Sequence, residues 1–97
     1  MARATAILDY REALEGGFII AVKAWRVPQP VRGSPHAFKY SLFFGRRGER
    51  LVGYDNEQGK GDHRHYGARE LPYVFVSIEQ LMTDFGADID RVKGTLR

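Results

Sequence analysis

The sequence predicts an α+β fold, in which an antiparallel β-meander of four to five strands has a C-terminal amphipathic helix packed on one face. Three observations predict this fold. The first half of the chain is rich in β-branched and aromatic residues that alternate with polar ones. Glycine-containing turns separate these runs, and the C-terminal segment carries apolar residues at helical spacing. The length of 97 residues fits a single domain over 1–97.

The predicted strands lie between about residues 3 and 54. The first, over 3–10, alternates weakly, and the turn at 15–17 leads into a long apolar run at 18–27. Side chains alternate between the two faces of a strand, so one face of this run is wholly apolar and is expected to face the core. That face consists of Phe18, Ile20, Val22 and Ala24.

The third and fourth strands are predicted to form a hairpin. Alternation over 37–44 predicts the third strand, and the turn at 45–48 leads to the fourth strand at 49–54. The apolar face of the third strand is formed by Phe38, Tyr40, Leu42 and Phe44. A polar loop is then predicted over 55–70, and the short apolar run at 73–76 is predicted to be a fifth strand or the extended lead into the helix.

A helix is predicted over 77–94. Ser77 and Gln80 fit a capping box at its start. The apolar stripe consists of Ile78, Leu81, Met82, Phe85, Ile89, Val92 and Leu96. Charged residues are expected to cover the opposite side: Asp84, Asp88, Asp90, Arg91 and Lys93. Gly86 weakens the middle of a helix by about 1 kcal/mol relative to alanine, which suggests a kink or a close contact there.

The sheet face that the helix leaves uncovered is predicted to be basic and aromatic. Lys23, Trp25, Lys39 and Phe43 are expected on that face. Residues 1–54 carry nine Lys and Arg against four Asp and Glu, whereas the rest of the chain carries six against eight. Such a face suits an RNA strand, which stacks its bases and needs its phosphates neutralised. It suits a protein partner equally well, and charged residues on strands also commonly just face water.

Composition excludes several other classes of protein. The chain has no cysteine, so it has neither disulfides nor a thiolate nucleophile. No apolar run approaches the roughly 20 residues that cross a bilayer, and the N-terminal segment lacks the apolar stretch of a secretory signal. We therefore expect a cytoplasmic protein with no membrane partner.

Residues 54–66 concentrate the side chains that can perform chemistry. They read Tyr-Asp-Asn-Glu-Gln-Gly-Lys-Gly-Asp-His-Arg-His-Tyr and include two of the three histidines. Metal-independent RNA cleavage needs a base, an acid and a cation that stabilises the pentavalent phosphate. The predicted catalytic residues are His63, His65, Arg64, Lys60 and Tyr66. Within this set His65 is the preferred acid or base, Arg64 and Lys60 contact phosphate, and Tyr66 is a positioning donor.

The remaining predicted site residues bind substrate. They are Asp55, Asn56, Asp62, Lys39 and Lys23. If residues 63–66 are extended, the two histidines lie on one face of the segment and Arg64 lies on the other. Only one histidine then approaches the phosphate closely, and the second orients it or transfers the other proton.

Two other interpretations of this segment stay open. The His-x-His pair, with Asp62 or Asp55, offers ligands that suit Zn or Mn. We predict no metal site and no cofactor, because His-x-His is a weak signal and His36 is the only other histidine. Alternatively, the segment is an exposed structural loop, since its residue types are common in turns. The predicted loop over 55–70, which contains most of this segment, has about sixteen residues, and that length favours function or disorder.

The segment from Val52 to Tyr66 resembles the signature of the TumE family of prokaryotic toxin–antitoxin toxins. Residues 33–40 and 72–77 support the resemblance, which extends over roughly 16–92. All of the motif positions are intact: Asp55, Asn56, Lys60, Asp62, His63, Arg64, His65 and Tyr66. The resemblance implies a toxin that is silenced by an antitoxin carrying a helix-turn-helix DNA-binding domain. Ribonuclease activity, as in RelE-like toxins, follows only by analogy between folds.

The leading hypothesis from the sequence is therefore a toxin that acts as a metal-independent endoribonuclease. One alternative is a non-enzymatic toxin whose loop binds nucleic acid or a protein. The other is a metal-dependent nuclease that uses the His-x-His pair.

Overall fold

The computed structural model of the chain describes residues 3–96, which form a six-stranded antiparallel sheet followed by a helix. Neighbouring strands in the sheet are consecutive in the chain, so the sheet is a meander. The strands are β1 (Thr5–Ala13), β2 (Ile19–Arg26), β3 (Phe38–Arg46), β4 (Glu49–Asp55), β5 (His63–Tyr66) and β6 (Arg69–Pro72), and the helix is α1 (Ile78–Thr95). A short 3₁₀ turn, Glu15–Gly17, connects β1 to β2. The α+β class and the antiparallel meander are confirmed.

The strand count and the extent of the loop differ from the prediction. The sheet has six strands rather than four to five, because the segment predicted as a loop over 55–70 contains β5 and the start of β6. Only residues 56–62 connect β4 to β5, and the predicted strand at 73–76 has no regular structure. β5 was not predicted because its side chains are polar on both faces and show no apolar alternation. Its backbone is nevertheless paired with β4 and β6. Gly67, at φ +60°, makes the two-residue turn that joins β5 to β6.

The predicted apolar faces of β2 and β3 form the core together with the helix. The buried core residues are Val22, Ala24, Tyr40, Leu42, Phe44, Val52, Tyr54, Tyr73, Leu81, Phe85 and Ile89. Phe18, Ile20, Ile78, Met82 and Val92 are partly buried against them. The helix packs chiefly on β4. Leu96 is 42 % exposed and lies outside the core, although the sequence pattern placed it on the apolar stripe.

The helix begins as the sequence predicted, with one difference. The Ser77 hydroxyl accepts a hydrogen bond from the backbone N–H of Gln80 at 3.0 Å. The Gln80 side chain does not complete the capping box, because its amide donates to Asp84 instead, at 2.8 Å. The helix continues through Gly86, and a Cβ there would meet nothing within 4 Å, so the expected close contact is absent. Within residues 3–96, no helix has the length and apolar character needed to cross a bilayer.

Asp88 was predicted on the solvent side of the helix, and this is wrong. Its exposed fraction is only 2 %. Leu81, Phe85, Asp88 and Val92 recur at intervals of four, three and four residues, so Asp88 lies on the same helix face as the apolar residues. A charged group at such a position needs partners inside the protein, and tyrosines of β4 and β5 supply them.

Candidate functional site

Strand alternation divides the predicted catalytic segment between the two sides of the sheet. His63 pairs with Asp55, and His65 pairs with Gly53, on the side away from the helix. We call this side the open face. Arg64 pairs with Tyr54 and Tyr66 with Val52, on the side that packs against α1. The expected separation of the two histidines from Arg64 is therefore confirmed, and the five predicted catalytic residues do not form one cluster.

On the open face, His65 lies between a cation and a carboxylate. Nη2 of Arg50 is 3.1 Å from Nδ1 of His65. A guanidinium can only donate, so Nδ1 accepts and the imidazole proton lies on Nε2. Nε2 is 3.3 Å from a carboxylate oxygen of Asp55, but it is buried and makes no well-aligned hydrogen bond. The His65 side chain is only 9 % exposed and is held in place by these neighbours.

Arg50 reaches this position because of a β-bulge and a glycine. The β3–β4 register shifts between Phe44 and Gly45, so Phe44 pairs with Val52 and Gly45 with Arg50. The extra residue turns the Arg50 side chain toward the open face. There it crosses Gly53, where a Cβ would lie 2.7 Å from Cδ of Arg50. Arg50 is one of the nine basic residues of 1–54, and its place beside His65 was not predicted, because register and bulge position are set by tertiary pairing.

His63 is the more accessible histidine of the pair. Its side chain is 20 % exposed. Nδ1 of His63 donates to the carbonyl oxygen of Gly61 at 3.1 Å, because a carbonyl can only accept. This contact fixes the neutral ring with its free lone pair on Nε2, which is 3.7 Å from the nearest carboxylate oxygen of Glu70. His63 thus offers a basic nitrogen at the surface, next to the Arg50–His65 pair.

The remaining open-face residues extend the surface away from the histidines. Lys23 pairs with Ser41, and Trp25 pairs with Lys39, on β2 and β3. Both lysines are exposed, and Trp25 is half-buried. The basic and aromatic character that the sequence predicted for this face is therefore present on β2 and β3.

Asp62, predicted to bind substrate, lies in a buried hydrogen-bond network. One of its carboxylate oxygens accepts from the Ser34 hydroxyl at 2.6 Å. The other accepts from the Tyr40 hydroxyl and from Nε2 of His36, both at 2.6 Å. Nδ1 of His36 accepts from the backbone N–H of Phe38, so the His36 proton must lie on Nε2. The Asp62 side chain is 4 % exposed, and its contacts connect the loop before β3 to the loop before β5.

Asn56 is also buried and has a backbone-like role. Its amide nitrogen donates to the carbonyl of Phe38 at 2.6 Å, and its amide oxygen accepts from the N–H of Tyr40 at 2.9 Å. These are the groups that a longer β4 would have paired. The Asn56 side chain therefore replaces the sheet hydrogen bonds at the point where β4 turns away.

Lys60 lies apart from the histidines on the exposed side of the loop. Its ammonium is 3.4 Å from the carboxylate of Glu57, and both side chains are more than half exposed. The loop packs closely on the one before β3, where a Cβ at Gly33 would lie 2.9 Å from the backbone nitrogen of Gly61. The loop glycines thus allow two backbones to approach each other.

Arg64 and Tyr66 belong to a second cluster, centred on Asp88 at the helix side. Tyr66 donates to the Asp88 carboxylate at 3.0 Å, and Tyr54 donates to the same group. Arg91 donates to Asp88 at 2.8 Å. Nε of Arg64 donates to the Tyr66 hydroxyl at 2.7 Å. This cluster compensates the buried Asp88 charge and fixes β5 against α1.

Three buried tyrosine side chains are expected to make the folded protein unstable at alkaline pH. Burial, together with hydrogen bonds to Asp62, Asp88 and Asp84, raises the pKa of Tyr40, Tyr54 and Tyr73 well above the ordinary value of 10. Above pH 10 the unfolded chain loses these phenol protons, whereas the folded protein keeps them. The free energy of unfolding is therefore highest below pH 10 and falls as the pH rises above 10. We expect absorbance at 295 nm to show these three phenols ionising only together with loss of the circular dichroism signal. Gradual ionisation without unfolding would contradict this.

The described residues contain no group of three or more His, Asp or Glu side chains arranged to hold a metal ion. The two candidate aspartates of the His-x-His interpretation lie in different surroundings. Asp62 accepts three hydrogen bonds inside the protein, and Asp55 lies beside His65.

Comparison with protein families gives a match over nearly the whole chain. The family model described as Toxin TumE matches residues 3–93. This range covers the whole sheet and nearly all of the helix, including the strands that carry both clusters. No curated protein and no solved structure matches the chain.

Proposed function

The chain belongs to the TumE family of toxins, and from this premise we propose that it is the toxin of a toxin–antitoxin pair and cleaves RNA without a metal ion. Membership of a toxin family implies an antitoxin partner in general. The proposal adds that this antitoxin carries a helix-turn-helix DNA-binding domain and that the toxin acts in the cytoplasm.

The observation that carries the proposal is the position of His63 beside Arg50 and His65 on the open face. Residues 63 and 65 are two positions apart on one strand, about 6.6 Å, a distance that one phosphate group can bridge. The lone pair on Nε2 of His63 is free for proton transfer. Arg50 supplies a permanent cation with planar donors that match phosphate oxygens.

The proposed reaction is attack by the ribose 2′-oxygen on the adjacent phosphorus. Nε2 of His63 takes the 2′-hydroxyl proton while the bond from the 2′-oxygen to phosphorus forms. Arg50 stabilises the charge on the non-bridging oxygens of the pentavalent transition state. The bond from phosphorus to the 5′-oxygen breaks, and that oxygen takes a proton from water. The products carry a 2′,3′-cyclic phosphate and a 5′-hydroxyl.

The other predicted site residues take supporting roles in this proposal. His65 holds the Arg50 guanidinium in place through Nδ1 rather than transferring the proton, because its Nε2 is buried beside Asp55. Lys23 and Lys39 bind phosphates of the RNA along β2 and β3. Arg64 and Tyr66 position β5 from the opposite side of the sheet, through Asp88.

The proposal is tested by incubating end-labelled RNA with the purified protein in the presence of a chelator. We expect cleavage that leaves 2′,3′-cyclic phosphate ends, and we expect Arg50→Gln to reduce its rate by about 10²- to 10³-fold, as for other lost transition-state donors. Arg69→Gln is the matched control, because Arg69 is exposed and pairs with Tyr66, so it lies on the helix side of the sheet.

A second variant tests the position of Arg50 without removing it. Gly53→Ala places a methyl group 2.7 Å from Cδ of Arg50, too close for the side chain to stay where it is, and a flexible arginine can move aside without disturbing the strand. We expect a folded protein with an activity close to that of Arg50→Gln. Cleavage only after addition of Mn or Zn would support a metal-dependent nuclease instead. Growth inhibition without any RNA product would support a toxin that acts by binding.

A further inference from the structure

A pocket of about 220 Å³ adjoins the proposed cleavage site on the open face. It is lined by Trp25, Lys39, Tyr40, Ser41, Asp55, Asn56 and Glu57. Asp55 is common to the pocket and to the His65 contact, and it pairs with His63 across β4 and β5. A ligand in this pocket therefore lies next to the residues proposed to act on the phosphate.

The pocket exists because β4 ends before its neighbour does. The β3–β4 pairing stops at Ser41 and Asp55, whereas β2 and β3 stay paired as far as Arg26 and Phe38. The Asn56 side chain satisfies the backbone groups of β3 that β4 leaves, so the floor of the gap is closed and needs no further partner. Trp25 of β2 and Glu57, which follows β4, both line the gap.

The side chains that line the pocket favour a planar ligand that donates hydrogen bonds. Two carboxylates, Asp55 and Glu57, disfavour a phosphate in the pocket and favour N–H donors. The half-buried indole of Trp25 offers a face on which a base can stack. Ser41 adds a donor for a carbonyl oxygen. A nucleobase with adjacent N–H groups and a carbonyl meets all of these demands.

We propose that this pocket binds a guanine base of the RNA next to the cleaved phosphate. The choice of RNA as the source of the ligand rests on the proposed function. Guanine presents two neighbouring donors, N1–H and the 2-amino group, to a carboxylate, and its O6 accepts a hydrogen bond. Glu57 is the carboxylate that recognises these donors, because Asp55 already contacts His65, whereas the ion pair of Glu57 with Lys60 is exposed to solvent.

The single tryptophan makes binding directly observable. The ¹⁵N-labelled protein has one indole N–H resonance, which belongs to Trp25, and we titrate it with the 3′-monophosphates of guanosine, adenosine, cytidine and uridine. We expect guanosine 3′-monophosphate to shift this resonance at concentrations at least about tenfold lower than the other three. Absence of any shift, or an equal response to all four nucleotides, overturns the proposal.

Glu57→Gln provides the matched substitution. A hydrogen bond to a charged group contributes about 1.5 to 3 kcal/mol, so the variant is expected to bind guanosine 3′-monophosphate about 10- to 100-fold more weakly and to lose the preference for guanine. Glu12→Gln on the exposed strand β1 removes one carboxylate elsewhere and is expected to leave binding unchanged. Unchanged guanine preference in Glu57→Gln overturns the assignment of Glu57.

The pocket proposal and the proposed ribonuclease activity can be refuted separately. Guanosine binding without RNA cleavage would refute the ribonuclease and leave the pocket in place. Cleavage with no preference for guanosine, together with an unshifted indole resonance, would refute the pocket and leave the ribonuclease in place.

Discussion

Replacing His63 with glutamine is expected to reduce the rate of RNA cleavage by about 10²- to 10⁴-fold, the usual contribution of a positioned general base. Glutamine preserves the size and polarity of the side chain but cannot accept a proton near neutral pH. The Gly61 carbonyl contact of Nδ1 can be kept by the glutamine amide, so the strand is expected to remain in place. The measurement is the single-turnover rate on labelled RNA, with circular dichroism as the check on folding.

The matched comparison is His65→Gln, which separates the two histidines. A glutamine oxygen at position 65 can still accept from Arg50, so this substitution is expected to lower the rate less than the one at position 63. A greater loss in His65→Gln, with little change in His63→Gln, would assign proton transfer to His65, as the sequence analysis preferred.

Replacing Asp62 with alanine is expected to lower the free energy of unfolding by about 3 to 5 kcal/mol. The substitution leaves the Ser34 hydroxyl, the Tyr40 hydroxyl and the His36 N–H without their acceptor in a part-buried site. This loss is a large share of the roughly 5 to 15 kcal/mol that stabilises a typical domain. Urea unfolding followed by circular dichroism measures the effect.

Two milder variants test the origin of this loss. Ser34→Ala removes one of the three donors, and it is expected to cost about 1 kcal/mol, the net contribution of one hydrogen bond. Asp62→Asn keeps one oxygen acceptor, so its loss in free energy of unfolding is expected to lie between those of Ser34→Ala and Asp62→Ala. A loss of less than 1 kcal/mol in Asp62→Ala would show that the network does not stabilise the fold, and Asp62 would then return as a substrate-binding residue.

The helix and the central strands were predicted correctly because their residues repeat at the period of the element they form. Val22 and Ala24 on β2, and Leu42 and Phe44 on β3, are all buried, as their alternation indicated. The same reasoning failed for β5. Its four residues are polar or amphipathic on both faces, and its strand conformation depends on pairing with β4 and β6 rather than on an apolar pattern.

The chemical site was predictable in composition but not in arrangement. The sequence showed that His63, His65 and Asp55 belong to a segment rich in proton-transferring groups, and all three lie on the open face. It did not show that Arg50 replaces Arg64 as the cation beside them. A bulge between Phe44 and Gly45 and the missing side chain of Gly53 decide that, and neither leaves a periodic signal.

Local patterns in the sequence by themselves determined the fold class, the order of the central strands, the position of the helix and the family. Tertiary structure alone decided which side of the sheet each charged residue occupies and which partners it has. Asp62 and Asp88 illustrate the difference, because both are polar residues in polar-looking surroundings and both are buried. The burial of a charge depends on donors brought from distant parts of the chain, such as Tyr40 for Asp62 and Tyr54 for Asp88. Such long-range contacts follow from packing, since no spacing along the chain encodes them.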